Sequence, residues 1–214
     1  NILVPGDPSS AAFYTSLALF TKGSSLKIKN IGLNSRRIGF YKILKLHGAN
    51  IKFKNLKKVN NELVGDIYVK YSKLKSINAS SKFYPSTADE YPILFVIAAL
   101  TSGVSTFKGI GDLANKESSR AREMQKILSQ IGIKSSLSKD KIKIYGKNEI
   151  KKIKKTIKVK NLGDHRICMA TSCLSLLTGI KSHIKNFETV NTSSPSFLKL
   201  VLKLGGKFEI KKTI

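Results

Sequence analysis

Cysteine is scarce in this sequence, and its placement argues against a structural cross-link. Cys168 and Cys173 are the two cysteines among 214 residues, and both fall on one predicted helix, which is poor geometry for a disulfide. No CxxC pair or His/Cys cluster indicates a metal site. We therefore expect both thiols to be reduced, buried and inert.

Long apolar runs are also missing. No stretch approaches the ~20 consecutive apolar residues that a transmembrane helix requires, and none has the pattern of a signal sequence. The sequence therefore predicts a soluble, cytoplasmic protein. It begins at Asn1 rather than at a methionine, as expected for a piece of a longer protein.

Acidic residues are few, and arginine is rare among the basic ones. The chain has 13 Asp and Glu against 39 Lys and Arg, a net charge of +26, which favours a polyanionic partner. Arginine stands only at positions 36, 37, 120, 122 and 166, and lysine is spread along every segment. That spread favours a codon bias and a solvated basic surface. A non-enzymatic, nucleic-acid-binding repeat protein is the alternative.

The chain contains three copies of one pattern, and 41% hydrophobic residues are ample for a core. In each copy an acid precedes an apolar helix closed by a glycine, and then come a strand, a polar turn and a second helix that ends at a glycine. The opening acids are Asp7, Asp89 and Asp164, and the final glycines are Gly48, Gly132 and Gly205. This predicts a single lobe of mixed α/β (α+β) class whose units, about 1–80, 81–157 and 158–214, bury one shared core. The three acids should lie near one face.

Five local predictions accompany this pattern. Asn1–Val4 and His183–Phe187 are expected as strands, Val59–Glu62 as a hairpin tip, and Lys151–Lys160 as a solvated strand or loop. Asp7 is expected as a helix cap.

Ionisable residues stand at the start of the third apolar helix. Asp164, His165 and Arg166 directly precede the run from Ile167 to Leu177. Free backbone N–H groups and the helix dipole favour an anion at such a place. In the alternative, Asp164 is only an N-cap and the two basic side chains are solvated on the first turn.

A second cluster lies in the middle unit. A helix predicted from Gly111 to Gln130 would put Lys116 and Arg120 on one face with Glu117 beside them. Two cations and a carboxylate there suit a phosphate or carboxylate ligand. The alternative is a surface helix with salt bridges worth under about 1 kcal/mol each.

Five motifs in this order resemble one enzyme family over nearly the whole chain. They are Val4-Pro-Gly-Asp-Pro-Ser-Ser-Ala-Ala-Phe13, Asp89-Glu-Tyr-Pro92, Lys116-Glu-Ser-Ser-Arg120, Asp164-His-Arg-Ile-Cys-Met169 and Thr192-Ser-Ser-Pro-Ser-Phe197. The sequence resembles the C-terminal lobe of the 3-phosphoshikimate 1-carboxyvinyltransferases, the enolpyruvylshikimate-phosphate synthases. It departs from the family's usual residues at Ala114, Ser119 and Ser194.

The resemblance implies a fold and a reaction. The fold is one lobe of two, built from three βαβαββ units around a pseudo-threefold axis, and the N-terminal lobe lies outside this chain. The reaction moves an enolpyruvyl group from phosphoenolpyruvate to the 5-hydroxyl of shikimate 3-phosphate and releases phosphate, without a cofactor. The complete enzyme is expected to be a monomer, and this piece alone to be inactive. The UDP-N-acetylglucosamine enolpyruvyl transferases share the fold and are the nearest alternative, although they lack this combination of motifs.

The matched motifs also imply residue roles. Asp89 would be the base at the hydroxyl and a ligand of shikimate 3-phosphate, and Glu117 a proton-transfer group at the methylene carbon. Lys116 would contact both substrates. Phosphoenolpyruvate would be held by Arg120, His165 and Arg166. Asp112 is a weaker candidate ligand of shikimate 3-phosphate.

Overall fold

The computed structural model describes residues 4–149 and 155–211. Its helices are α1 (Pro8–Phe20), α2 (Gly39–Leu46), α3 (Tyr91–Ala99), α4 (Arg120–Gln130), α5 (His165–Thr178) and α6 (Phe197–Lys203). Its strands are β1 (Ser25–Gly32), β2 (Asn50–Val59), β3 (Glu62–Lys70), β4 (Asn78–Ala79), β5 (Gly103–Lys108), β6 (Lys134–Ser138), β7 (Lys141–Gly146), β8 (Ile157–Val159) and β9 (Ser182–Ile184). Short 3-10 helices cover Ser81–Ser86, Gly111–Asn115 and Phe187–Thr192.

The sheets repeat one pairing scheme. The first strand of a unit pairs in parallel with the second, as β4 does with β5 and β8 with β9, and a parallel bridge from Gly6 to Ile31 takes this place in the first unit. The second strand pairs antiparallel with the fourth, which pairs with the third, giving the orders β1-β3-β2 and β5-β7-β6. Within the described residues, no strand follows α6.

The core is formed where the first helix of each unit meets the other two. Helices α1, α3 and α5 pack against one another in all three pairs. Every residue of α3 is fully buried, which accounts for its lack of a polar face. The shared core means that no unit is closed by itself, and the starts of the three helices lie close together.

Two of the three opening acids cap their helices. The Asp7 carboxylate accepts the backbone N–H groups of Ser9 and Ser10, and the Asp164 carboxylate accepts those of Arg166 and Ile167. Asp89 does not cap its helix, because Glu90 holds the N-cap position of α3. Pro92, at the second helical position, has no N–H for a cap to accept.

The local predictions have mixed outcomes. The hairpin tip is confirmed: Asn60 and Asn61 have φ angles of 49° and 62°, as a two-residue turn between β2 and β3 requires. Of the strand expected at 1–4, residues 1–3 lie outside the described residues and Val4 is not in a strand. The strand expected at His183–Phe187 is shorter than predicted, because it ends at Ile184.

The lysine-rich stretch also differs from its prediction. Residues 151–154 lie outside the described residues, and β8 follows them. Ile157 and Val159 of β8 are buried rather than solvated, since this strand packs its alternate side chains on the shared core. The many lysines of this stretch therefore gave no indication that its apolar residues are buried.

Both cysteines are buried and unpaired, as predicted. Burial raises the pKa of the Cys168 thiol to about 12, so it stays protonated at neutral pH and is a poor nucleophile. No helix in the described part of the chain is long and apolar enough to cross a bilayer. In 4–149 and 155–211, no group of three or more His, Cys, Asp or Glu side chains could hold a metal ion.

Candidate active site

The candidate site lies where α3 and α5 begin and where the chain enters α4. Four of the predicted site residues are joined there by ion pairs: Asp89, Glu117, Arg120 and Arg166. They come from two different units of the repeat. The packing of α3 and α5 in one core is what brings them together.

Arg120 is the centre of this cluster. Its side chain is 1% exposed, and its three nitrogens each face a different carboxylate. Nε lies 3.0 Å from Asp164 Oδ2, Nη1 3.3 Å from Asp89 Oδ1, and Nη2 2.5 Å from Glu117 Oε2. Burial alone would lower the pKa of Arg120, but the three carboxylates, Asp164 first, raise it above its ordinary value. Arg120 is therefore permanently charged and pairs with all three carboxylates.

Asp164 has two tasks. Its carboxylate caps α5 and also accepts a hydrogen bond from Ser118 Oγ at 2.8 Å. Its side chain is fully excluded from solvent, and it holds Arg120 by charge. The interpretation of Asp164 as only an N-cap is wrong, because its second carboxylate oxygen, Oδ2, accepts hydrogen bonds from Ser118 and Arg120.

Asp89 lies between two arginines. Its Oδ1 faces Arg120, and its Oδ2 lies 3.7 Å from Arg166 Nη2. Burial raises the pKa of Asp89, but Arg166 and Arg120 outweigh it, and the pKa ends below its ordinary value. Because the side chain is 42% exposed, the site presents an ionised carboxylate to an incoming group.

Arg166 keeps part of its guanidinium unpaired. The residue is 6% exposed, and its Nε and Nη1 are buried without a hydrogen-bond partner among the described residues. Leaving such groups unpaired is costly, by about 1–3 kcal/mol for a neutral group and more for a charged one. The alternative of a solvated Arg166 is therefore wrong, and its free N–H groups suit an anion.

His165 is half-buried at the start of α5. Burial first, and then the positive charge of Arg166, lower its pKa below the ordinary value. It is therefore mostly neutral at pH 7, when it can donate one hydrogen bond and accept another. The alternative in which His165 is fully solvated on the first turn is also wrong.

Asp112 and Lys116 form a more exposed pair beside the cluster. Tyr84 donates its hydroxyl to Asp112 Oδ2 at 2.8 Å, and Lys116 Nζ lies 3.6 Å from the same oxygen. The Tyr84 hydrogen bond is the largest cause of the lowered pKa of Asp112. Lys116 is near enough to Asp89 to favour its ionised form. Asp89 and Asp112 thus both lie near the cation of Lys116.

The helix predicted from Gly111 to Gln130 is interrupted. A 3-10 helix ends at Asn115, Lys116 is extended, and α4 begins only at Arg120. Lys116 and Arg120 therefore do not share a helical face. A tertiary contact lies at the break, because Ser118 donates its hydroxyl to Asp164 of the third unit.

Comparison with known proteins identifies the family. The family model for EPSP synthase (3-phosphoshikimate 1-carboxyvinyltransferase) matches residues 1–200 of the chain. The chain belongs to the EPSP synthase family. The resemblance drawn from its motifs is thereby confirmed.

Individual relatives of the chain agree. The 3-phosphoshikimate 1-carboxyvinyltransferase of Petrotoga mobilis is 39% identical over 204 residues, which cover 95% of this chain and 46% of the relative. That of Zymomonas mobilis is 38% identical over 212 residues, 98% of this chain and 47% of the relative. The chain thus spans about half the length of the curated relatives it matches.

Solved structures confirm the predicted fold class. A structure of EPSP synthase from Acinetobacter baumannii matches with a TM-score of 0.92 and 34% identity, covering 99% of this chain and 48% of that one. The enolpyruvyl transferase NikO from Streptomyces tendae matches at 12% identity with a TM-score of 0.66 and covers 93% of this chain and 43% of that one. The latter likeness concerns the fold alone.

Sequence reasoning missed some contributors to the site. Ser119 makes no side-chain bond that caps α4. Arg120 is instead held by Asp164, which also accepts a hydrogen bond from Ser118. Tyr84 was also missed, because no motif contains it. Only the three-dimensional packing of two repeat units reveals these neighbours.

Proposed function

We propose that this chain supplies about half of an active site that transfers the enolpyruvyl group of phosphoenolpyruvate to the 5-hydroxyl of shikimate 3-phosphate. The observation that carries the proposal is the pair of buried arginines, Arg120 and Arg166, that share the carboxylate of Asp89. Arg166 also has unpaired N–H groups. Such an arrangement suits a doubly charged substrate, because arginine grips phosphate and carboxylate through two N–H groups at once.

The reaction needs balanced proton transfers. The hydroxyl oxygen bonds to the central carbon of the enol while its proton goes to a base and the methylene carbon gains a proton. In the resulting tetrahedral intermediate, the methyl group then loses a proton, the double bond re-forms, and phosphate departs with the C–O bonding electrons. Three kinds of group are needed: a base, a proton carrier and cations.

The proposed roles follow this chemistry. Asp89 takes the hydroxyl proton and binds shikimate 3-phosphate, because it is ionised and faces outward. Glu117, half-exposed beside Arg120, moves the proton at the methylene carbon. Lys116 contacts both substrates, and Asp112 is a further ligand of shikimate 3-phosphate.

The remaining proposed role is the binding of phosphoenolpyruvate. Arg120, His165 and Arg166 are assigned to it, and the cationic pair offsets the substrate's charge while a neutral His165 supplies a directional hydrogen bond. The other half of the anion clamp belongs to the N-terminal lobe, which lies outside this chain. The complete two-lobe protein is proposed to act as a monomer.

The test is phosphate release from phosphoenolpyruvate and shikimate 3-phosphate. The 214-residue chain alone is expected to give no turnover, and the complete two-lobe protein is expected to be active. Turnover by the chain alone would overturn the half-site assignment. A complete protein that rejects shikimate 3-phosphate but accepts UDP-N-acetylglucosamine would overturn the substrate assignment.

A further inference from the structure

Tyr84 contacts the candidate site, although none of the proposed roles includes it. It lies on the 3-10 helix Ser81–Ser86. Its hydroxyl donates to Asp112 Oδ2 at 2.8 Å, and the same oxygen lies 3.6 Å from Lys116 Nζ. One carboxylate oxygen thus connects Tyr84 to the cation that is assigned to both substrates.

The ring of Tyr84 is stacked on the hydrophobic core. Its centroid lies 5.7 Å from that of Tyr91, with an angle of 26° between the two ring planes. Tyr91 is fully buried, and its ring contacts those of Phe95 and Phe107. Stacked and edge-to-face aromatic pairs favour particular ring positions. The Tyr84 hydroxyl is therefore held in place by side chains of the core.

The hydrogen bond between Tyr84 and Asp112 has a fixed direction. Burial first, and then the bond to Asp112, raise the pKa of the Tyr84 hydroxyl, so it keeps its proton. The same bond lowers the pKa of Asp112, and an ionised carboxylate can only accept. Tyr84 is therefore the donor throughout the neutral pH range.

Lys116 has few other contacts that could fix its side chain. Its backbone is extended at the break before α4, and in 4–149 and 155–211 Asp112 is the one carboxylate that forms an ion pair with it. The Asp112 side chain is 57% exposed. An exposed pair of this kind contributes little by itself, because ordering two flexible side chains costs entropy. A third partner that is already held by the core reduces this cost.

We propose that Tyr84 is a positioning residue for Lys116: by fixing Asp112, its hydroxyl holds the Lys116 ammonium where it meets the anionic groups of the substrates. The proposal rests on the substrate-binding role proposed for Lys116. Tyr84 itself contacts neither substrate. Without the hydroxyl, Asp112 can rotate and Lys116 can move with it, so substrate binding must also order these two side chains.

The experiment removes the hydroxyl and keeps the ring. The dissociation constants of phosphoenolpyruvate and of shikimate 3-phosphate, each added alone, are measured by calorimetry for the complete two-lobe protein and its Tyr84→Phe variant. Phenylalanine can keep the stack on Tyr91, and melting curves check that both proteins are folded. Tyr145→Phe is the matched control, because Tyr145 is an exposed residue of β7.

Tyr84→Phe should weaken the binding of both substrates. We expect each dissociation constant to rise on the order of fivefold, an effect typical of side chains in one network, whereas Tyr145→Phe should leave both constants unchanged. Asp112 is itself a proposed ligand of shikimate 3-phosphate, so the constant for phosphoenolpyruvate is the one that reports on Lys116. An unchanged constant for phosphoenolpyruvate in folded Tyr84→Phe would overturn the proposal.

A double-mutant cycle separates positioning from a purely structural role. In an Asp112→Ala background the hydroxyl has no carboxylate to fix. Adding Tyr84→Phe should then change the constant for phosphoenolpyruvate by less than about twofold. The full effect of Tyr84→Phe in that background would mean that Tyr84 acts by another route, and the proposal would be rejected.

The result can be distinguished from the outcome for the proposed function, because each ligand alone binds without turnover. A complete protein that shows the Tyr84 effect but never releases phosphate would reject the proposed reaction alone. An active protein whose dissociation constants are the same with and without the hydroxyl would reject the role of Tyr84 alone. A protein that binds neither ligand would reject both.

Discussion

Arg120 Nε and Asp164 Oδ2 lie 3.0 Å apart in an ion pair whose side chains are 1% and 0% exposed. The pair joins the first residue of α4 to the cap of α5, and thus the second unit of the repeat to the third. It also fixes the guanidinium that faces Asp89 and Glu117. One buried contact therefore serves the packing of the lobe and the geometry of the candidate site.

Removing one member of this pair should destabilise the protein severely. Asp164→Ala leaves a buried guanidinium without its main counter-charge and removes the α5 cap, and we expect a loss of about 3–5 kcal/mol in the free energy of unfolding. Denaturant unfolding measures this. Glu123→Ala is the control, because its partner Lys126 is 61% exposed and such pairs are worth under about 1 kcal/mol. Equal losses in the two variants would contradict the buried-pair account.

Replacing Asp89 should affect the rate more than stability. If Asp89 takes the hydroxyl proton, Asp89→Ala in the complete two-lobe protein should lower kcat by roughly 10²- to 10⁴-fold. The KM for phosphoenolpyruvate should change little, because Arg120 and Arg166 remain. Since Glu90 holds the N-cap position of α3, the loss of a cap does not confound the result. Normal turnover by Asp89→Ala would remove Asp89 from the mechanism.

Replacing Arg166 should affect binding more than the rate. Its guanidinium is expected to grip an anion that is already charged in the ground state, so Arg166→Ala should remove about 1.5–3 kcal/mol of binding. The KM for phosphoenolpyruvate should then rise roughly ten- to hundredfold. Steady-state kinetics measure both parameters. Arg122→Ala, on the exposed face of α4, is the matched control and should leave KM unchanged. A normal KM in Arg166→Ala would reject the role of Arg166 in binding phosphoenolpyruvate.

Asp66 should make the stability of the first unit sensitive to acid. Its carboxylate accepts hydrogen bonds from Asn55 Nδ2 at 2.7 Å and from the backbone N–H of Asn30 at 3.0 Å, and Lys27 Nζ lies at 3.1 Å. Led by the Asn55 bond, these contacts lower the pKa of Asp66 to about 2. The folded value lies below the unfolded one, so the stabilisation is present above about pH 4 and is lost as the pH falls toward 2.

The measurement is the melting temperature of wild type and Asp66→Asn between pH 2 and pH 7. Asp66→Asn should melt earlier at neutral pH, and the gap should shrink below pH 4 as the wild-type carboxylate takes up its proton. The Asn30 and Asn55 backbones have φ angles of 56° and 53° at irregularities in β1 and β2, which Asp66 holds in place. A gap that stays constant with pH would show that the charge of Asp66 plays no part.

The sequence by itself determined the repeat, the first helix of each unit and the family. Apolar runs locate α1, α3 and α5 because burial is required along the whole of each run. For α5 the end is also a local requirement, since it has a left-handed C-cap at Gly179, with a φ of 69°. The motifs also identified the charged residues of the site. These features are written in neighbouring residues, so sequence spacing reveals them.

Only the tertiary structure decided which charges meet. Sequence spacing put Lys116 and Arg120 on one helical face, but α4 begins at Arg120, and Ser118 at the break donates its hydroxyl to Asp164 of the third unit. The partnership of Arg120 with Asp164 and the burial of Arg166 arise from the packing of α3, α4 and α5. Coulomb interactions depend on distance through space and on exclusion of water, and neither quantity can be obtained from sequence separation.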